Sequence, residues 1–227
     1  MPIKQTPKIT TLFQLLTLLL LSFSVNAELY LTSDEQNWLT QRDPIIVGVA
    51  IIPPYLSNKL DGDTVEGLSL DYLKLMENSL DTEFQYQIFD SYGAMIEAAK
   101  QRSIDVVFGA TNTEQRRHYL NFTKVYSHLA NKIFTQKGKY QQAEMSDFNG
   151  KRFAVPRGTA LVSYISNNYP DIELVQAENL REAFNLLAAG QIDGVGSYAS
   201  AGYLFSILEG IDNISIVGSV GFDYHIS

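Results

Sequence analysis

The sequence contains no cysteine among its 227 residues. Disulfide bonds and thiolate chemistry are therefore excluded, and the fold must be held by burial of apolar side chains. The hydrophobic fraction of 45% supplies enough apolar residues for ordinary globular cores. Runs of basic residues are also missing, and the formal net charge is −8. We therefore expect no nucleic-acid partner, because nucleic acid is bound through a basic surface.

A hydrophobic run of the length that spans a membrane is also missing. A spanning helix needs about 20 apolar residues, whereas the longest apolar stretch, Leu12–Val25, has 14. Lys4 and Lys8 precede this stretch, and the small residues of Val25-Asn26-Ala27 follow it. This arrangement predicts a cleavable signal peptide at residues 1–27 and export of the rest of the chain.

Motifs of enzymes and metal centres are missing as well. The sequence has no G-x-S-x-G, no H-E-x-x-H, no phosphate-binding P-loop and no G-x-G-x-x-G. His118, His128 and His225 are far apart in the sequence and lack the spacing of metal ligands. We therefore predict no cofactor, no metal and no catalytic residues.

Strand and helix patterns alternate along the chain in two successive copies. The first copy predicts a strand at 45–49, a helix at 68–80, a strand at 84–88, a helix at 92–100 and a strand at 104–108. The second predicts a strand at 152–155, a helix from Gly158-Thr159 to before Pro170, a strand at 172–175, a helix at 180–189 and a strand at 192–195. This order is typical of parallel sheets with crossover helices. Tyr126–Lys137 is extended and mixed, and it predicts a connection between two α/β lobes with a cleft between them.

One short echo supports two lobes of related build. Ile104-Asp105-Val106-Val107 and Ile192-Asp193-Gly194-Val195 both follow a helix end, and each places an aspartate at the start of a strand. A chance repeat of a common α/β unit is the alternative.

A candidate anion site follows the predicted strand at 104–108. Gly109 and Thr111 come at its end, and Arg116 follows about one helical turn later. Backbone N–H groups at such a turn favour an anion, and an arginine can hold a carboxylate with two parallel hydrogen bonds. Arg116 and Arg117 could equally form a solvated basic face beside Glu114, and the residues alone leave both interpretations open.

Several segments in order along the chain resemble the bacterial solute-binding proteins of family 3, the polar amino-acid binders. The similar segments are Pro53-Pro54-Tyr55, Gly67–Tyr72, Gly109–Phe122 followed by Tyr126, Ser146–Val155 and Gly190–Val195. The resemblance implies an α/β, two-lobed periplasmic-binding-protein fold of type II, each lobe a mainly parallel sheet with flanking helices. It implies lobe 1 at 28–130, lobe 2 at 131–217 and the start of a return connection to lobe 1 at 218–227. Since family members add further elements to lobe 1 after such a stretch, the C-terminal part of lobe 1 is expected to be missing.

The resemblance also implies which residues bind the ligand. Arg116 would pair with a ligand carboxylate, Thr111 would donate hydrogen bonds, and Gly109 would offer its carbonyl. From lobe 2, Gly158 and Thr159 would add donors near Arg157. The walls of the site would be formed by Ile52, Tyr55, Tyr92 and Tyr198. Tyr198 occupies the position at which amino-acid binders of the family place an aspartate for the ligand ammonium, so a standard α-amino acid is less expected than a carboxylate.

The implied function is a periplasmic domain that closes around a small carboxylate or amino-acid-like ligand. Leu31–Leu39 resembles the lead-in of family 3 domains in sensor kinases and cyclic-dinucleotide enzymes, which favours a sensor input module over a transporter subunit. The corresponding partner would be a membrane-bound kinase or cyclase module, or a membrane permease. A periplasmic dehydratase on the same scaffold is the alternative, with Glu66 or Asp71 as its general acid.

Overall fold

The computed structural model describes residues 30–42, 44–58, 65–208 and 210–227. The predicted signal peptide, residues 1–27, lies outside the described residues. Within the described ranges, no helix has both the length and the apolar character needed to cross a membrane.

The first lobe is built on a three-stranded parallel sheet. Its elements are α1 (Ser33–Gln41), β1 (Ile45–Ala50), β2 (Ser57–Asn58), β3 (Val65–Glu66), α2 (Leu68–Leu80), β4 (Phe84–Phe89), α3 (Tyr92–Lys100) and β5 (Val106–Val107). The strand order is β4-β1-β5, and β2 pairs with β3 as a separate ribbon. Successive side chains of the central strand β1 enter two apolar clusters, one packed on α2 and the other on α3.

The second lobe is built on a five-stranded mixed sheet. The remaining elements of the chain are β6 (Ser127–Leu129), β7 (Asn131–Gln136), β8 (Arg152–Pro156), α4 (Ala160–Asn168), β9 (Glu173–Ala177), α5 (Leu180–Ala188), β10 (Gly194–Tyr198), α6 (Ala199–Leu208), β11 (Ile214–Ser219) and β12 (Tyr224–Ile226). The strand order is β11-β7-β10-β8-β9. Strands β8, β9 and β10 are parallel, and β7 runs antiparallel to both of its neighbours, β10 and β11. Apolar clusters cover both faces of this sheet.

The repeated aspartate makes the same contact in both lobes. The backbone N–H of Asp105 donates to the Ile46 carbonyl at 2.8 Å, and its Oδ2 accepts from the Ile46 N–H at 3.0 Å. Asp193 exchanges the equivalent two bonds with Arg152, at 2.8 and 3.1 Å. Each aspartate therefore fixes the start of the neighbouring strand, and the echo in the sequence corresponds to a repeated structural unit.

An antiparallel ribbon of β6 and β12 connects the lobes. The chain leaves the first lobe through β6, and β12 returns to it through a bridge between Ile226 and Thr111. The prediction that all of Tyr126–Lys137 forms the connection is wrong in its second half. Strand β7 lies inside the second sheet, because Ile133 and Phe134 are buried in the two cores of that lobe.

Two predicted strands also differ in their bounds. The strand predicted at 104–108 is reduced to β5, two residues long, and the strand predicted at 192–195 runs instead from Gly194 to Tyr198. All five positions of β10 are buried, but Gly196 and Ser197 are too small and polar to mark a strand by hydrophobicity. Helix α6 and strand β11 were not predicted.

Candidate ligand-binding site

A cavity of about 160 Å³ lies between the two lobes, beside the ribbon of β6 and β12. Aromatic and aliphatic side chains form most of its wall, and we call it the aromatic cavity. Eight of the predicted ligand-binding residues line it, namely Ile52, Tyr55, Tyr92, Gly109, Thr111, Arg116, Thr159 and Tyr198. The other two, Arg157 and Gly158, line an adjoining cleft of about 420 Å³, and Arg116 borders both spaces.

Arg116 is the central charged group of the site. It begins a 3₁₀ turn (Arg116–His118) and is only 5% exposed, so the interpretation of a solvated basic face is wrong for this residue. Its Nη1 donates to the Thr111 carbonyl and its Nη2 to the Gly158 carbonyl, each at 2.9 Å. The guanidinium carbon lies 5.3 Å from the centre of the Tyr92 ring. Within the part of the chain that the structure describes, no carboxylate pairs with this guanidinium.

The tyrosines around Arg116 stay protonated. Burial raises the pKa of Tyr92, while the neighbouring Arg116 charge acts in the opposite direction. Burial also raises the pKa of Tyr198 well above its ordinary value and raises that of Tyr224. The phenolic groups therefore contribute neutral hydrogen-bonding atoms and ring faces to the cavity rather than negative charge.

Tyr198 links the two lobes. It ends β10 in the second lobe, and its hydroxyl donates to the Pro53 carbonyl of the first lobe at 2.8 Å. Its ring meets the Tyr55 ring edge-on, with 5.6 Å between the ring centres. Tyr198 occupies the position expected to hold an aspartate for a ligand ammonium. Its hydroxyl proton is already used in a hydrogen bond within the protein.

Further contacts hold the lobes together across the adjoining cleft. Glu178 of the second lobe accepts from the Ser91 hydroxyl of the first at 3.1 Å and pairs with Arg157 at 3.2 Å. Gly158 has a left-handed backbone with φ of +76°, and a Cβ there would lie 2.7 Å from the Gly93 Cα. The two glycines permit this close approach of the lobes because neither carries a side chain.

The other predicted residues differ in burial and in their hydrogen bonds. Gly109 has φ of +84°, which glycine adopts readily. Thr111 is buried, and its carbonyl is engaged by Arg116. Thr159 precedes α4, where its hydroxyl donates to the Pro156 carbonyl at 2.8 Å. Glu66 and Asp71, the candidate general acids, are exposed and do not line either space.

Five polar residues line the aromatic cavity without having been predicted from the sequence, namely Ser69, Ser91, Ser127, Asn179 and Ser197. Ser197 lines the cavity and is 2% exposed, and its Oγ has no hydrogen-bond partner among the described residues. Buried hydroxyls normally find a partner, so this atom is a candidate contact for a ligand. Only its place next to Tyr198 in the sequence could have indicated it.

Two of the three histidines lie side by side. The rings of His128 and His225 meet edge-on across the β6–β12 ribbon, with 4.7 Å between their centres, a pairing that the sequence did not reveal. Across the described ranges, no group of three or more potential metal-ligating side chains occurs.

Comparison with known proteins places this geometry in a family. The model of the bacterial extracellular solute-binding proteins, family 3, matches residues 45–187. ABC transporter arginine-binding protein 1 of Escherichia coli K12 is 30% identical over 149 residues, 64% of this chain and 59% of that protein. The virulence sensor protein BvgS of Bordetella bronchiseptica is 25% identical over 162 residues, 71% of this chain but 13% of the sensor. The chain therefore spans less than two thirds of the length of either relative.

Solved structures share the two-lobed fold. A periplasmic domain of BvgS from Bordetella pertussis superposes with a TM-score of 0.74 at 18% identity, covering 87% of this chain and 84% of that one. An ancestral arginine-binding protein bound to arginine superposes with a TM-score of 0.72 at 25% identity, covering 82% and 84%. The predicted periplasmic-binding-protein fold is confirmed.

Proposed function

This chain is a member of the bacterial extracellular solute-binding proteins, family 3, and on that premise we propose that it binds a small carboxylate between its lobes. Arg116 would pair with the carboxylate, and the remaining residues of the aromatic cavity would enclose the rest of the ligand. Arg157 and Gly158 would act at the rim, since both line the adjoining cleft.

The observation that carries the proposal is the buried, unneutralised charge of Arg116. A buried cation without a counter-ion is costly, so functional proteins pair such groups. Two backbone carbonyls and the Tyr92 ring stabilise the guanidinium in part, but they carry no formal charge. A ligand carboxylate would supply the missing negative charge and accept two parallel hydrogen bonds.

Binding would be coupled to lobe closure. The proposed lobes, 28–130 and 131–217 with a return connection at 218–227, would rotate about the β6–β12 ribbon. Arg116 donates to a carbonyl of each lobe, so a ligand at this point would contact both. It would then shift an open–closed equilibrium towards the closed form.

Replacement of Arg116 tests the proposal. Thermal-shift screening of the purified protein against organic acids and amino acids should find a stabiliser, because a ligand at 100 times its Kd adds about 2.7 kcal/mol. For such a ligand, Arg116→Ala should weaken binding by roughly 2–5 kcal/mol. Arg117→Ala is the matched control, since this neighbouring arginine is exposed and should leave the affinity unchanged. Equal affinity of wild type and Arg116→Ala for a carboxylate would contradict the proposal.

The cellular role that we propose is a sensor input module in the periplasm, reached through the predicted signal peptide. The similarity to BvgS supports this role, and the similarity to an arginine-binding transport protein supports the alternative of a transporter subunit. The reading frame after the codon of Ser227 distinguishes them. A membrane helix followed by a kinase or cyclase module would support the sensor, and a neighbouring permease gene would support transport.

A further inference from the structure

The aromatic cavity has a charge pattern that narrows the class of ligand. Arg116 is the one charged side chain among the described residues that line it. A ligand held there would therefore find an oppositely charged side chain for a negative group and none for a positive group. An ammonium moved from water into such a site loses its hydration without gaining a counter-ion.

Glu178, an acidic residue of the adjoining cleft, does not change this pattern. Glu178 lines the adjoining cleft rather than the aromatic cavity. Its two carboxylate oxygens are engaged by the Ser91 hydroxyl at 3.1 Å and by the Arg157 guanidinium at 3.2 Å. The charge of Glu178 is thus already paired with Arg157 within the second lobe, and its contact with Ser91 ties it to the first lobe.

The cavity does offer a neutral polar partner. Ser197 Oγ is buried and unpartnered among the described residues, and a serine hydroxyl can both donate and accept hydrogen bonds without carrying a charge. Tyr198, the next residue, already donates its proton to the Pro53 carbonyl. A ligand hydroxyl or carbonyl oxygen would satisfy Ser197 at no charge cost, whereas an ammonium could donate to Ser197 but would still lack a counter-ion.

The rest of the wall favours an apolar ligand body. Aromatic rings line it from the first lobe, the ribbon and the second lobe, including Tyr55, Tyr92, Tyr198 and Tyr224. Such rings pack well against another ring or a branched alkyl group. A long cationic side chain would have to place its charge among them without a carboxylate.

Resting on the proposed function, we propose that the ligand is an aromatic or branched carboxylic acid with a hydroxyl or oxo group in place of an amino group. Arg116 binds the carboxylate, Ser197 binds the neutral oxygen at the neighbouring carbon, and the tyrosine rings enclose the apolar body. The chain thereby selects 2-hydroxy or 2-oxo acids against the corresponding α-amino acids.

Calorimetric titration of one matched ligand series tests this selectivity. The probes are phenyllactate, phenylpyruvate, phenylalanine, 3-phenylpropionate and arginine, each measured with the wild-type protein and with Arg117→Ala as a control. Phenyllactate or phenylpyruvate should bind at least about tenfold more tightly than phenylalanine or arginine. The Ser197→Ala variant should reduce the affinity for these oxygenated acids to that for 3-phenylpropionate, which itself should bind the variant and the wild type equally.

Each outcome has a defined meaning. If phenylalanine or arginine binds as tightly as the oxygenated acids in an Arg116-dependent manner, the selectivity is refuted and the proposed function stands. If 3-phenylpropionate binds as tightly as phenyllactate and Ser197→Ala changes neither, the role of Ser197 is refuted. If no carboxylate of the series or of the wider screen binds, the proposed function itself is refuted.

Discussion

The contact between Gly93 and Gly158 offers a way to perturb the proposed lobe closure without changing any side chain of the aromatic cavity. An alanine at position 158 would place its Cβ 2.7 Å from the Gly93 Cα and 3.3 Å from the Gly93 nitrogen. Both atoms belong to the backbone and cannot rotate away, so the lobes of Gly158→Ala would have to move apart by about 1 Å to restore ordinary contact.

The size of the expected loss of affinity follows from the hydrogen bond that this movement would lengthen. Nη2 of Arg116 lies 2.9 Å from the Gly158 carbonyl, and a further ~1 Å would remove that hydrogen bond. A hydrogen bond from a charged donor contributes about 1.5–3 kcal/mol. We therefore expect Gly158→Ala to disfavour the closed form by that amount and to weaken ligand binding roughly tenfold to a hundredfold.

Backbone strain must be separated from the steric effect. Alanine in a left-handed conformation costs about 1–2 kcal/mol, and φ at Gly158 is +76°. Gly150→Ala is the matched control, because φ there is +69° and nothing lies within 4 Å of the added Cβ. Both variants should lose similar free energy of unfolding in urea, and only Gly158→Ala should lose affinity by calorimetry.

Small-angle scattering provides the second measurement. All three proteins are measured at a ligand concentration that saturates the wild type. The wild type and Gly150→Ala should then have the same radius of gyration, and that of Gly158→Ala should be larger. Equal affinities and equal radii for the two variants would refute the reasoning that the glycine contact controls closure.

Three further predictions concern groups on and around the site. Tyr198→Phe removes the hydrogen bond to the Pro53 carbonyl, so calorimetry should show ligand binding weakened by about fivefold. Burial raises the pKa of Tyr92, Tyr198 and Tyr224 in the folded chain, whereas the same tyrosines in the unfolded chain lose their protons near pH 10. The free energy of unfolding, measured in urea, should therefore fall as the pH rises above about 10. Asp193→Ala removes the side-chain bond that fixes the start of β8 and should cost about 1–2 kcal/mol of unfolding free energy in urea, with ligand affinity unchanged in the remaining folded protein.

Local signals allowed most of the fold to be predicted. The bounds of α2 and α3 agree with the hydrophobic spacing, and Ser91 caps α3 by accepting from the Ala94 N–H at 3.2 Å. Strand β10 was misplaced because burial at Gly196 and Ser197 depends on the neighbouring strands and not on their own apolar character. The predicted connection between the lobes was too long, because a connecting segment and a sheet strand show the same extended sequence pattern.

The residues of the candidate site were predicted from the family resemblance and not from local sequence patterns. The resemblance around Gly109–Phe122 predicted Arg116 as a ligand-binding residue, and in the structure this side chain lines the cavity. The partners that decide its environment are distant in sequence: the Gly158 carbonyl is 42 residues away, and the Tyr198 hydroxyl contacts Pro53 across 145 residues. Such pairs depend on how the lobes approach each other, which no local pattern encodes.

Of the two hydrogen bonds that the Arg116 guanidinium donates, one lies within a lobe and the other joins the two lobes. The bond to the Thr111 carbonyl joins residues five positions apart within one lobe, whereas the bond to the Gly158 carbonyl exists only while the lobes meet. If the lobes separate as we propose, the arginine would lose one acceptor and keep the other, so its planar group would stay oriented and gain one free N–H edge. An arriving anion would therefore be captured first by the N-terminal half of the molecule, and the C-terminal half would close over it afterwards.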